Sequence, residues 1–201
     1  MKYKKFLIIL IAIISLFISF VFFRKSNYKK INTGNNITSK SLDENEKYIL
    51  DINSYIATIE LTVQSNKNTN KYLIKQEVNN DIYKQEVIEP DNIKGVQTIY
   101  EKGKLTVYNS KLNLNKIYED YPYITENSIF LNDFIAKYKI AKQNNKFNIQ
   151  ETEDYIILTI NNKNSIEKLY VQKNSGKPYQ IIIQDDDKKN IVYILYKEIN
   201  L

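Results

Sequence analysis

Histidine, cysteine and tryptophan are all missing from this 201-residue chain. Without histidine it lacks the usual general base and the commonest metal ligand. Without cysteine it can form no disulfide in any compartment, offers no thiol nucleophile, and has nowhere to attach a lipid after an apolar leader. These two absences exclude Ser-His-Asp and Cys-His triads, thiol redox chemistry and His/Cys zinc sites. Glycine and proline are scarce as well, at four and three residues, and no glycine-rich phosphate loop is present. The sequence calls for no cofactor and no metal, and the expectation is a protein that is not an enzyme.

One long apolar run stands out. It extends from Phe6 to Phe23, with Lys2, Lys4 and Lys5 before it and Arg24, Lys25, Lys29 and Lys30 after it. As a helix it would be ~27 Å long, enough for the hydrocarbon core of a bilayer. Three fates are open to such a segment. Cleavage by a signal peptidase needs small residues near the cut, but the run ends Ser19-Phe20-Val21-Phe22-Phe23. Lipidation needs a cysteine. An uncleaved signal anchor over 6–23 remains, with residues 1–5 as a cytoplasmic tail and the rest on the extracytoplasmic side. The seven flanking cations also account for the basicity. The chain carries +6, so the body from Ile31 onward is −1, and nothing in it calls for nucleic acid.

Residues 24–41 form a linker, polar from Lys30 to Lys40 and read as flexible. The remaining 42–201 has the size of one domain with its own core. Ser41-Leu42-Asp43-Glu44 forms a capping box, opening a helix from Leu42 to about Asn53 with Leu42, Ile49, Ile52 and Ile56 near one face. The period then changes to two, with Ala57, Ile59, Leu61 and Val63 alternating with Thr58, Glu60, Thr62 and Gln64. Turn clusters follow at Ser65–Asn68, Asn79–Asp81, Pro90–Asn92 and Glu101–Gly103. A second helix, capped by Asn127, presents Ile129, Phe130, Phe134, Ile135 and Tyr138 on one apolar face through about Ala141. Strands resume at Tyr155–Ile160, Glu167–Gln172, Tyr179–Gln184 and Ile191–Tyr196. The predicted architecture is α+β: a long, curved antiparallel sheet with helices on one face, preceded by a transmembrane helix.

Several side-chain groups invite a functional reading. Asp185-Asp186-Asp187 is either a cation site or a solvated hairpin tip balanced by Lys188 and Lys189. Glu151, Glu153 and Asp154 are either the carboxylates of a glycoside hydrolase or the residues of a turn. The seventeen tyrosines either serve a sugar-stacking surface or reflect the preference of tyrosine for a half-buried pleated face. The helix bearing Phe130, Phe134 and Tyr138 either caps a hydrophobic cavity for a lipid or packs as core. As binding residues, for a partner or a cavity, the candidates are Tyr118, Tyr121, Tyr123, Phe130, Phe134 and Tyr138.

The order of the pieces resembles the LolA-like lipoprotein-carrier superfamily. The resemblance is carried by the leading helix, then Tyr55-Ile56-Ala57-Thr58-Ile59-Glu60-Leu61-Thr62-Val63, then Tyr83–Val87 running into Glu89-Pro90-Asp91-Asn92-Ile93-Lys94-Gly95. Ile99–Asn109 and Leu169–Pro178 continue it. The run from Tyr121 through Asn127, Phe130 and Leu131 to Phe134 and Tyr138 is most similar to the germination lipoprotein (GerS) group of spore-forming clostridia. The superfamily implies an unclosed β-barrel of ten or eleven strands over helices, at times enclosing a hydrophobic cavity. The germination group implies a non-enzymatic partner of a spore-cortex N-acetylmuramoyl-L-alanine amidase, placed in the forespore or spore envelope. One departure is plain: that group carries a lipid-modified cysteine and this chain has none. The resulting expectation is a membrane-anchored scaffold that holds and activates an amidase. The alternative is a carrier or sensor of a lipid or lipoprotein acyl chain, a possible hydrophobic ligand. A continuous apolar pocket on the concave face would favour the carrier, and a filled core beside an exposed edge the scaffold.

Overall fold

The computed structural model describes residues 42–109, 111–119 and 129–201. The apolar segment 6–23, the linker, Ser41, Tyr121, Tyr123 and Asn127 lie outside the described residues. Eleven strands form one antiparallel sheet. Helix α1 (Leu42–Leu50) leads into β1 (Ser54–Gln64), β2 (Thr69–Asn79), β3 (Ile82–Glu89), β4 (Gln97–Glu101), β5 (Lys104–Asn109) and β6 (Leu114–Tyr118). Helix α2 (Leu131–Gln143) follows, then β7 (Phe147–Glu151), β8 (Tyr155–Asn161), β9 (Ser165–Gln172), β10 (Pro178–Asp185) and β11 (Ile191–Asn200). The spatial order is β6-β5-β4-β3-β2-β1-β11-β10-β9-β8-β7. Two meanders therefore meet where β1 pairs with β11, from Ile56↔Asn200 to Gln64↔Ile191.

Curvature comes from interrupted register. The β1–β11 ladder slips between Thr58 and Ile59, β2–β3 between Leu73 and Ile74, and β9–β10 between Pro178 and Gln180. Each irregularity bends its strand and increases the local twist. Among the described residues β6 and β7 pair on one side only, so the sheet is an unclosed barrel. The turns follow the local chemistry. Lys102 and Gly103 both have positive φ, 49° and 79°, which makes the two-residue link between β4 and β5 a tight hairpin turn.

Alternation along each strand sends one set of side chains to the concave face. Tyr55, Ala57, Ile59 and Leu61 of β1 are buried there, with Ile156, Leu158 and Ile160 of β8, Leu169 and Val171 of β9, and Ile181 and Ile194. Helix α2 supplies the other half of this core through Leu131, Phe134, Ile135, Tyr138 and Ala141, a spacing of three and four that makes one stripe. Ile49 of α1 joins the same cluster.

Helix α1 is shorter than the sequence pattern predicts, and helix α2 runs two residues beyond Ala141. Helix α1 ends at Leu50 and not near Asn53: the Ile52 N–H reaches the Ile49 carbonyl at 3.3 Å, three residues back and not four, and β1 begins at Ser54. The Ile52 carbonyl accepts from the Asn132 Nδ2 amide at 3.4 Å, and the Asn53 carbonyl from the Asn80 N–H at 3.1 Å. Helix α2 begins at Leu131, since Phe130 is extended with φ −87° and ψ 146°. Strand β7 has no counterpart in the pattern reading: only Phe147 and Ile149 mark it as apolar, in an otherwise polar edge. Glu151 accordingly ends a strand, and the turn itself is Thr152–Asp154.

Candidate functional site

The helix lying in the concave face is where the candidate binding residues converge. Its start has no side-chain cap of its own. In place of one, the Tyr55 hydroxyl of β1 accepts from the Leu131 N–H at 3.1 Å and donates to Gln76 Oε1 at 3.1 Å. Gln76, fully buried on β2, returns its Nε2 amide to the Ile129 carbonyl at 3.4 Å. The sheet thus satisfies one of the donors that a helix N-terminus leaves open, the Leu131 N–H. The far end is closed locally, by Asn145 in the left-handed region at φ 54° and by Lys146 N–H to the Ala141 carbonyl at 2.9 Å.

Two ion pairs anchor the polar flank of α2. Lys137 Nζ lies 3.3 Å from Glu167 of β9, and Lys142 Nζ 2.8 Å from Glu46 of α1. Both carboxylates are buried, Glu167 with a further hydrogen bond from Asn162 Nδ2 at 3.2 Å. Buried carboxylates of this kind need such partners, because an uncompensated charge in the interior is costly.

Phe130, Phe134 and Tyr138 form a packed aromatic row. Phe130 meets Tyr83 edge-on at 5.2 Å, Phe134 stacks on Tyr138 at 6.0 Å, and Tyr138 meets Phe147 edge-on at 5.9 Å. All three are buried, Tyr138 completely. Tyr118 stands apart from them at the end of edge strand β6, with Lys116 Nζ 4.9 Å from its ring centre. The structure therefore unites the α2 residues in the core and leaves Tyr118 at the sheet margin; Tyr121 and Tyr123 fall outside the described residues.

The electrostatics beneath the start of α2 are dominated by burial. Burial pushes the Asp133 carboxyl up to about 7, with Lys137 opposing and Glu167 adding to the rise. Burial likewise holds Tyr55, Tyr83 and Tyr196 protonated, and Asp133 adds to the effect at each. Tyr138 is raised by burial and by the Glu46 carboxylate beside it. These hydroxyls cannot supply a base at neutral pH. Asp133 is a functional-looking group that periodicity could not single out, since its burial depends on the sheet beneath it.

The other acidic clusters resolve into turns. Asp185 accepts from the Asn190 N–H at 3.0 Å and from its Nδ2 at 2.7 Å, while Lys189 pairs with Asp187. Glu151 pairs with Lys173, and Glu153 and Asp154 form the β7–β8 turn. Among the described residues no three acidic side chains are grouped to hold a metal ion.

Neither a protein-family model nor a curated protein matches the sequence. Solved structures do. An uncharacterized conserved protein from Thermus thermophilus aligns over 79% of this chain and 84% of its own, at 11% identity and a TM-score of 0.50. A LolA superfamily protein from Nitrosomonas europaea aligns over 82% and 94%, at 12% identity and a TM-score of 0.46. The structure of the CwlD amidase from Clostridioides difficile in complex with the GerS lipoprotein aligns over 85% of this chain and 99% of the matched one, at 22% identity and a TM-score of 0.49. The fold is shared with the Thermus thermophilus protein. At these identities the likeness is one of fold, and it gives the chain neither a ligand nor a partner.

Proposed function

We propose that this chain is a membrane-anchored, non-enzymatic scaffold whose folded domain holds a protein partner on the extracytoplasmic side, with residues 6–23 as the anchor. The observation that carries the reading is the occupied concave face: Leu131, Phe134, Ile135, Tyr138 and Ala141 fill the space between α2 and the sheet. A carrier of acyl chains needs an open apolar pocket there. Among the described residues two clefts are polar, one lined by Lys75, Glu77, Lys84, Glu86 and Gln97 among others, the second by Glu153, Asp154, Gln172 and Lys173 among others. The absence of histidine and cysteine supports the non-enzymatic part.

An exposed apolar patch at one sheet edge supports the binding part. Tyr108, Leu112 and Ile117, at 42%, 56% and 60% exposure, stand at the outer face of β5–β6 and its turn. An edge strand offers backbone donors and acceptors to an incoming strand, and apolar side chains beside it add area. A body charge of −1 leaves little long-range steering, so contact rests on such surfaces. The partner class, an N-acetylmuramoyl-L-alanine amidase acting in sporulation or germination, is taken from the sequence resemblance.

The experiment incubates cell-wall peptidoglycan with this protein, with a cognate amidase, and with both. Cleavage that needs both, and that Ile117→Asp weakens, is the expected result. Cleavage by this protein alone would overturn the non-enzymatic reading. An amidase equally active with and without it would remove the scaffold.

A further inference from the structure

On the convex face, three tyrosines gather at one end of the second meander. Tyr155 of β8 meets Tyr170 of β9 edge-on at 6.0 Å and Tyr179 of β10 at 5.1 Å with a tilt of 36°. The register places Tyr155 and Tyr170 on one face, and Tyr179, the extra residue at the irregularity between Pro178 and Gln180, joins them through its ring contact with Tyr155. Tyr155 sits opposite Gln172, and Tyr170 lies opposite Ile157 on one side and Gln180 on the other. These positions alternate with the buried Ile156, Leu169 and Val171, so the three rings stand on the face turned away from the core.

A cleft of about 250 Å³ opens beside them, lined by Glu153, Asp154, Tyr155, Gln172, Lys173 and Asn174. Its walls are braced against each other. The Lys173 N–H donates to the Asp154 carbonyl at 3.0 Å and Lys173 Nζ to the Thr152 carbonyl at 3.2 Å, while the same ammonium pairs with Glu151. Gly176, at φ +68°, closes the opposite turn with its N–H on the Gln172 carbonyl at 2.8 Å. The groups left over are polar and unoccupied: among the described residues, the Glu153 and Asp154 carboxylates and the Asn174 amide hold no side-chain hydrogen bond.

We propose that this cleft, with Tyr155 as its aromatic wall, binds a neutral oligosaccharide, one or two sugar rings seated between the β7–β8 and β9–β10 turns and the chain continuing over Tyr170 and Tyr179 beside it. A pyranose turns a face of slightly positive C–H groups to a partner, which suits the negative face of an aromatic ring. Its hydroxyls are both donors and acceptors. Glu153 and Asp154 accept, Asn174 donates and accepts, and carboxylates accept two hydroxyls at once. The volume is below the roughly 300–1,000 Å³ of a drug-sized pocket, which suits a short stretch of a longer chain. Partial burial and the neighbouring Tyr179 and Asp154 raise the Tyr155 hydroxyl above its ordinary range, so it stays protonated. The chemistry disfavours other occupants. An anion meets two free carboxylates with Lys173 already neutralised by Glu151. An acyl chain meets polar walls. A basic peptide suits the carboxylates but leaves the Asn174 amide without use. The inference stands apart from the amidase reading and survives its failure.

The test titrates the full chain, in a non-glycosidic detergent, with chitotetraose, cellotetraose and maltotetraose as neutral probes and with tetralysine as the cationic one. Tyrosine fluorescence, free of tryptophan background, and calorimetry read the binding. At least one neutral probe saturates with an affinity indifferent to salt, and Tyr155→Ala weakens it by about tenfold or more. The double variant Glu153→Gln/Asp154→Asn, at exposed positions, does the same without moving the melting temperature. Three results overturn the proposal: no neutral probe binding, binding indifferent to both variants, or binding of tetralysine alone that salt abolishes. The last assigns the cleft to a basic peptide.

Discussion

The Tyr55 hydroxyl accepts the Leu131 amide at 3.1 Å across 76 residues of sequence. A strand side chain thereby does for α2 what a serine or aspartate does at most helix starts. Because the same hydroxyl donates to Gln76, Tyr55→Phe orphans a buried amide and a buried carbonyl together. A loss of ~1–3 kcal/mol is expected, read as a lower urea midpoint with an unchanged slope.

Phe134, 3% exposed, stacks against Tyr138 in the middle of the row. Phe134→Ala should cost ~3–5 kcal/mol, the range for emptying a packed aromatic site. A loss under about 1 kcal/mol in chemical denaturation would instead mark Phe134 as part of a loose lid over a cavity.

Asp133 makes stability depend on pH. Its folded value of about 7 lies above the roughly 3.9 of an unfolded aspartate. Below about pH 4 both states hold the proton and the contribution is complete. Between there and pH 7 the unfolded chain ionises while the native carboxyl, facing Lys137, Glu167, Tyr55, Tyr83 and Tyr196, does not. Stability then falls by at most about 1.4 kcal/mol per pH unit, less for the part of the group that water reaches, and levels off above pH 7. Urea denaturation at pH 5 and pH 8 should show a smaller drop in Asp133→Asn than in the wild type.

Lys137 compensates the buried Glu167. Lys137→Met leaves that charge alone and is expected to cost ~3–5 kcal/mol. Lys137→Met combined with Glu167→Leu should recover most of it. A double variant no more stable than the single one would mean that Asn162 and solvent already satisfy the carboxylate.

Much of the fold is legible in the chain because it is local. Ala57 to Val63 alternate and lie in β1, and the breaks at Ser65–Asn68 and Glu101–Gly103 are turns between paired strands. The three-and-four spacing from Phe130 to Tyr138 marks a helix that does pack on the sheet. What escapes the pattern is settled by distant partners. No capping residue announces Leu131 as a helix start, since its acceptor is on β1. Strand β7 is too polar to read alone and is fixed by pairing with β8. Of the candidate site residues, the periodic ones on α2 are easy to find for the reason that makes them core. The convex-face trio Tyr155, Tyr170 and Tyr179 cannot be grouped from the chain alone, because β-propensity and ligand stacking select the same residue, and the three meet only through the β8–β9 register and the irregularity at Tyr179.

The seam between β1 and β11 gives the molecule an order of assembly. Each meander can be laid down hairpin by hairpin as the chain is made, but the ladder from Ile56↔Asn200 to Gln64↔Ile191 has to wait for β11. Until then β1 presents an eleven-residue unpaired margin, the kind of template on which nascent chains aggregate. A chaperone, or simple speed, has its work to do in that interval. A stop codon before Ile191 would leave two half-sheets without the strand that pairs one to the other.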